Sequence, residues 1–174
     1  MNNIDKNESC KFTPPVDVDL IVFDFDGVFT DNKVYTAQDG TETVVCDRRD
    51  GLGIEMLKKL SIPMFILSME QNPVVIARAR KLDLEVKAGC EDKKRFLQKY
   101  FKQKGVNSAN VIYIGNDLND LEAMESVGYS ICPGDSHRKV KEIASYILTA
   151  VGGNGAVREF AELILSHDSN RTVV

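Results

Sequence analysis

Residues 20–33 read LIVFDFDGVFTDNK. An apolar run, Leu20 to Phe23, leads into Asp24, and Asp26 follows two residues later, ahead of Gly27, Thr30 and Asp31. A near-continuous apolar run of this length predicts a strand buried on both faces. Two carboxylates closing such a strand are costly unless something pairs with them or uses them.

Outward from this stretch, short apolar runs alternate with helical patterns. KVYTAQDGTETVVC predicts a β-hairpin around Asp39-Gly40. DGLGIEMLKKL has helical spacing at Leu52, Met56, Leu57 and Leu60, and IPMFIL is a second buried strand. NPVVIARARKL starts with Asn72 as N-cap and Pro73 at the first helical position. LEVKAG is a third strand, and EDKKRFLQKYFKQKG a helix stopped by Gly105. NVIYIG is a strand, DLNDLEAMESVG a helix closed by Gly128, and YSICPG another strand. SHRKVKEIA, SYILT and GAVREFAELIL give a helix, a short strand and a terminal helix. Strands alternating with helices predict an α/β fold, a Rossmann-like open parallel sheet with helices on both faces and a β-hairpin after strand one. One domain spans 18–166, between a leader or linker at 1–17 and a tail at 167–174.

The bulk properties fit this reading. The 174 residues carry 43% hydrophobic and 28% charged side chains, ordinary values for a globular domain. A net charge of −4 argues against a nucleic-acid partner. No apolar run approaches the roughly 20 residues that span a bilayer, and the polar start lacks a signal-peptide core. Cys10, Cys46, Cys90 and Cys132 form no C-x-x-C pair and read as reduced thiols of a cytoplasmic protein.

Open parallel sheets bind ligands beyond the carboxyl ends of their strands. Asp24 and Asp26, Ser68, and Gly115-Asn116-Asp117 all stand at such ends. Their oxygen-only donors suit Mg²⁺. A carboxylate beside that cation can attack phosphorus, and a second one can move the proton. Ser68 and Lys93 supply a hydroxyl and a cation for a phosphate, and the Gly27-Val28 amides follow the nucleophile as candidate oxyanion donors.

DFDGVFTD, Ser68, Lys93 and GNDLND together resemble the four motifs of the haloacid dehalogenase superfamily. RRDGLGIEMLKK and GGNGAVREFAELIL are similar to its capless sugar-acid phosphatases, the 3-deoxy-D-manno-octulosonate 8-phosphate phosphatases, and to the phosphatase-like module of CMP-sialate synthetases. The resemblance runs over residues 18 to 166. It implies Asp24 as nucleophile and metal ligand, Asp26 as acid/base and a ligand through its carbonyl, and Ser68 and Lys93 on the phosphate. It places Gly27, Thr30, Arg49, Asp50, Arg78 and Arg158 with the substrate, whose carboxylate would favour an arginine fork. The family's GDDxxD becomes GNDLND here, so Asn116 and Asp117 both stand as the next metal ligand, with Asp120 supporting them. Where octulosonate phosphatases show S-G-R, this chain has Ser68-Met69-Glu70, closer to the sialate type. The resemblance also implies a homotetramer in which the hairpin covers a neighbour's site. Two functions follow: a Mg²⁺ phosphatase on a phosphorylated octulosonate or nonulosonate, or a non-catalytic oligomerisation module. A phosphomutase is disfavoured because no cap is inserted.

Overall fold

A computed structural model describes residues 17–167, with the backbone alone of His167. The expected leader and tail, and Cys10, fall outside the described residues apart from Asp17 and that backbone. The six-stranded sheet is parallel throughout. It comprises β1 (Leu20–Phe23), β4 (Met64–Leu67), β5 (Glu85–Lys87), β6 (Val111–Ile114), β7 (Tyr129–Cys132) and β8 (Tyr146–Ile147), in the order β5-β4-β1-β6-β7-β8. From β1 the chain steps outward to β4 and β5, then returns to β6 and leaves in the other direction. The connections therefore diverge between β1 and β6, the point where such sheets open a crevice.

Side-chain alternation along β1 builds two cores. Ile21 and Phe23 pack with Ile54 and Leu57 of α1 (Arg48–Lys58), Val75 and Ala79 of α2 (Pro73–Leu82), and Phe160 of α6 (Ala156–His167). Leu20 and Val22 face Leu97 and Phe101 of α3 (Lys93–Lys104), Met124 of α4 (Leu121–Met124) and Val140 of α5 (Arg138–Ile143). Burial on both faces is why β1 shows no polar alternation. Asn72 caps α2 as expected, accepting from the Val74 amide at 3.0 Å, and Gly105 ends α3 in the left-handed region.

Three expectations are corrected. In α1 the buried stripe is Asp50, Gly53, Ile54 and Leu57, while Leu52 is 58% exposed. The helix phase is set by Gly53: a Cβ there would stand 2.8 Å from the Arg158 Cα, so α6 can approach only on that side. The helix over DLNDLEAMESVG is only the four-residue α4, preceded by a 3₁₀ turn at Leu118–Asp120. Gly128 lies beyond it; a Cβ there would fall 2.0 Å from the Ala109 carbonyl oxygen, so a close backbone approach, not a helix cap, requires the glycine. The hairpin forms as β2 (Tyr35–Thr36) against β3 (Glu42–Thr43), shorter than the sequence suggests, with Val34, Tyr35 and Val45 exposed. Cys46, Cys90 and Cys132 are free thiols. Among the described residues no helix is long and apolar enough to cross a membrane.

Candidate active site

The Asp24 amide donates to the Ile114 carbonyl at 2.8 Å, carrying the β1–β6 ladder one residue past the strand. Phe25, Val28 and Phe29 are fully buried and pin the following turn. At this exit Phe25 turns into the core, and the Lys93 charge acts on both Asp24 and Asp26. Asp24 is 3% exposed, whereas Asp26 is half-buried.

The centre of the site is a ring of buried charge. Lys93, the first residue of α3 and 2% exposed, places its Nζ 2.8 Å from Asp24 Oδ1 and 2.7 Å from Asp120 Oδ1. Tyr113 on β6 donates its hydroxyl to that same Asp120 oxygen at 2.8 Å. Asp120 Oδ2 accepts the backbone amides of Asn116 at 2.9 Å and Asp117 at 3.3 Å. Both Asp120 oxygens are thus engaged inside the protein. Asp120 fixes the Lys93 ammonium and the Gly115–Asp117 loop. Gly115 is required there because a Cβ would stand 2.7 Å from the Asp120 carboxyl carbon. Asp117 caps the following turn, accepting the Leu118 amide at 2.7 Å.

Burial pushes the Asp24 carboxyl well above its ordinary value, the Asp120 charge adds to this, and Lys93 opposes it. Burial works against the Lys93 charge, but Asp24 and Asp120 outweigh it and its pKa lies above the usual lysine value. Asp26 is raised by burial and then by Glu70. The Thr30 hydroxyl donates to Asp26 at 3.4 Å and accepts the Gly27 amide at 3.1 Å. The Val28 amide donates to the Phe25 carbonyl at 3.3 Å, so both amides considered as oxyanion donors bond within their own turn. Gly27 has φ +74°, and a Cβ on it would fall 1.9 Å from Asn116 Nδ2. The Asn116 amide therefore lies directly against the turn that carries Asp26. Ser68 is buried and accepts the Glu70 amide at 3.0 Å, leaving its O–H as a donor.

The flanking residues form a second group. Arg49 pairs with Asp47 and bonds the Asn154 side chain, beside the Gly152–Gly155 loop. Arg78 Nη2 donates to the Asp47 carbonyl at 2.8 Å. Arg158 pairs with Glu162 along α6 at 2.7 Å. Asp50 is wholly buried and accepts the Arg158 amide at 3.1 Å.

Burial, reinforced by Asp47, pushes Asp50 up to about 6; the Arg158 and Val157 amides and Arg78 pull the other way. The folded state therefore holds this proton more tightly than the unfolded chain, with its ordinary 3.8, and the contribution to stability is lost as pH rises through about 6. Asp50→Asn removes that dependence. Its stability relative to the parent should rise by about 3 kcal/mol between about pH 4 and about pH 7 in denaturant titrations. Parallel stability curves would refute this assignment.

Sequence reasoning missed Tyr113 and the electrostatic role of Glu70. A tyrosine inside the buried run VIYI is itself a signal, because its hydroxyl needs a partner. Glu70 gave none, since its effect on Asp26 depends on how the β4–α2 turn folds back.

Among the described residues no three His, Cys, Asp or Glu side chains cluster as a metal site. The reason is visible: the third position is the amide of Asn116, and Asp120 is turned to Lys93. The donor chemistry still fits a hard cation. Asp24, the Asp26 carbonyl and the Asn116 side-chain amide can each supply an oxygen, and two buried carboxylates, Asp24 and Asp120, share one ammonium.

Residues 66–160 match the model of the haloacid dehalogenase-like hydrolases. The 3-deoxy-D-manno-octulosonate 8-phosphate phosphatase of Haemophilus influenzae is 33% identical over 159 residues, covering 90% of this chain and 87% of that protein. N-acylneuraminate cytidylyltransferase A of Danio rerio is 34% identical over 87% of this chain, which spans only 36% of that longer protein. The structure of the octulosonate phosphatase from Moraxella catarrhalis, solved with magnesium ion, phosphate ion and KDO, superposes with a TM-score of 0.83 at 34% identity over 88% of each chain. The fold, the site at the β1–β6 divergence and these relatives agree: the chain belongs to the haloacid dehalogenase-like hydrolases, in the group of the sugar-acid phosphatases.

Proposed function

We propose that this protein is a Mg²⁺-dependent phosphatase that hydrolyses a phosphorylated 3-deoxy-2-keto sugar acid, an octulosonate 8-phosphate or a nonulosonate 9-phosphate, through an aspartyl-phosphate. The observation that carries this reading is the buried Lys93 bridge between Asp24 and Asp120, with Asp26 two residues beyond Asp24 in the chain.

Asp24 attacks phosphorus through a carboxylate oxygen, and the bond to the leaving alkoxide breaks. Lys93 holds the Asp24 carboxylate in its attacking orientation and offsets charge on the phosphoryl oxygens. Ser68 donates its hydroxyl to one of those oxygens. Asp26, kept protonated longer by burial and Glu70, delivers a proton to the leaving oxygen. It then takes a proton from the water that hydrolyses the acyl phosphate. Asp24, the Asp26 carbonyl and Asn116 would hold Mg²⁺, with Asp117 as the alternative ligand, and the ion supplies neutralisation of the phosphoryl charge. Arg49 and Arg158 are the candidates to meet the substrate carboxylate. The exposed apolar side chains of the hairpin support assembly into a homotetramer, and the protein acts in the cytoplasm.

The test is phosphate release with Mg²⁺ across octulosonate 8-phosphate and the 9-phosphates of N-acetylneuraminate and deaminated neuraminate. Turnover on one of them is expected; silence on all of them overturns the reading. Because the acidic cluster repels itself when empty, Mg²⁺ should also raise Tm at pH 7, and EDTA should reverse the rise and stop activity. An unchanged Tm with metal-independent hydrolysis would contradict the ligand set.

A second reading has its own support. The neutral Asn116 and the partial match to a cytidylyltransferase suit a module that assembles a larger enzyme. It predicts a stable tetramer with no turnover on any of these phosphates.

A further inference from the structure

Asp50 has no place in the chemistry above, yet it is a fully buried acid whose Oδ2 has no hydrogen-bond partner. Its Oδ1 accepts the Arg158 amide, the third residue of α6. The residue before that helix is Gly155, which has no side chain with which to cap it. Asp50 therefore caps α6 from a different helix, across the contact that Gly53 makes possible.

The start of α6 continues back into a strap, Gly152–Gly155, that lies on the catalytic turn. A Cβ on Gly152 would stand 2.1 Å from the Gly27 carbonyl oxygen, and one on Gly153 would stand 2.3 Å from the Asp31 amide. The Gly153 amide donates to the Val28 carbonyl at 3.1 Å. The strap thus covers the backbone of the turn on which Gly27 and Thr30 hold Asp26. Its other end is tied by Asp135, which accepts the Gly152 amide at 3.0 Å, and by Glu159, which accepts the amides of Thr149 and Ala150.

We propose that Asp50 is a positioning residue for the acid/base: by capping α6 it seats the Gly152–Gly155 strap on the Gly27–Asp31 turn and so fixes where Asp26 points. The inference rests on the phosphatase reading for its kinetic consequence but not for its structural one. A buried acid with one unpaired oxygen is tolerated here because, among the described residues, it is Asp50 that accepts the Arg158 amide at the start of α6.

The test compares Asp50→Ala with Asp50→Asn, which keeps an acceptor oxygen. By hydrogen exchange, Asp50→Ala should speed amide exchange at least fivefold in both segments 150–158 and 26–31, with the β6 and α3 amides unchanged. Asp50→Asn should exchange no faster than the parent in both segments. On whichever phosphate the parent hydrolyses, Asp50→Ala should lower kcat roughly tenfold with KM changed less than twofold. It should also alter the pH profile of kcat, and Asp50→Asn should restore both. Faster exchange confined to α6, or spread evenly over the chain, shows a purely structural cap and overturns the proposal; so does an Asn variant as impaired as Ala. If the parent turns over no substrate, the phosphatase reading fails while the exchange result still decides the coupling.

Discussion

Asp24→Asn should lower phosphate release by about 10⁴-fold or more while the fold survives. The amide occupies the same volume at the end of β1 and keeps the Asp24 backbone bond to Ile114. It cannot form an acyl phosphate. Stability should change little, because two effects oppose each other. Lys93 loses one carboxylate partner, but a buried charge raised by desolvation and by Asp120 disappears as well. The measurement is single-turnover phosphate release beside a melting curve and a sedimentation profile. Undiminished turnover would remove Asp24 as the nucleophile and the mechanism with it. An assembly module would show the same sedimentation in parent and variant and no activity to lose.

Lys93→Met should have the largest effect on stability. The side chain is nearly isosteric, but Asp24 and Asp120 are left buried without their cation. Breaking a buried pair from one side costs about 3–5 kcal/mol, far more than an exposed pair would. Turnover should fall together with stability, since the same ammonium orients the nucleophile. The sign with pH separates electrostatics from packing. Without Lys93 the Asp24 carboxyl, already raised by burial, binds its proton more tightly still in the folded state, so the variant should recover stability as pH is lowered from about 7 to about 5. Denaturant midpoints at the two pH values measure this. A deficit equal at both would mean that Lys93 contributes volume rather than charge. Lys94, half-buried and loosely paired with Glu122 at 3.6 Å, is the natural control; Lys94→Met should alter stability by less than about 1 kcal/mol.

These two residues also show how far the sequence alone reached. The sheet was legible because buried parallel strands are short apolar runs, and their ends fall at abrupt polar residues: Phe23 then Asp24, Leu67 then Ser68, Ile114 then Gly115. The helix start at Asn72-Pro73 and stop at Gly105 were legible because capping is local chemistry. The phase of α1 was not. Leu52 and Ile54 are both apolar, and only the approach of α6 to Gly53 selects Ile54 for the core. Gly128 likewise gives the same letter for a cap and for a close contact with Ala109.

At the site, the sequence by itself determined which chemistry was on hand: Asp24 and Asp26 two residues apart, a serine and a lysine at neighbouring strand ends, an amide at position 116. Those facts follow from residue type and strand alternation, which are properties of the chain near each residue. What each group is free to do was decided only by tertiary structure. Asp120 lies 27 residues from Lys93, and only folding brings them to 2.7 Å; that contact makes Asp120 a support for the lysine and occupies both its oxygens. Asp50 is 108 residues from the amide it caps. Hydrogen-bonding capacity is finite and burial is a property of the whole fold, so the roles of these acids are set by partners that no local pattern names.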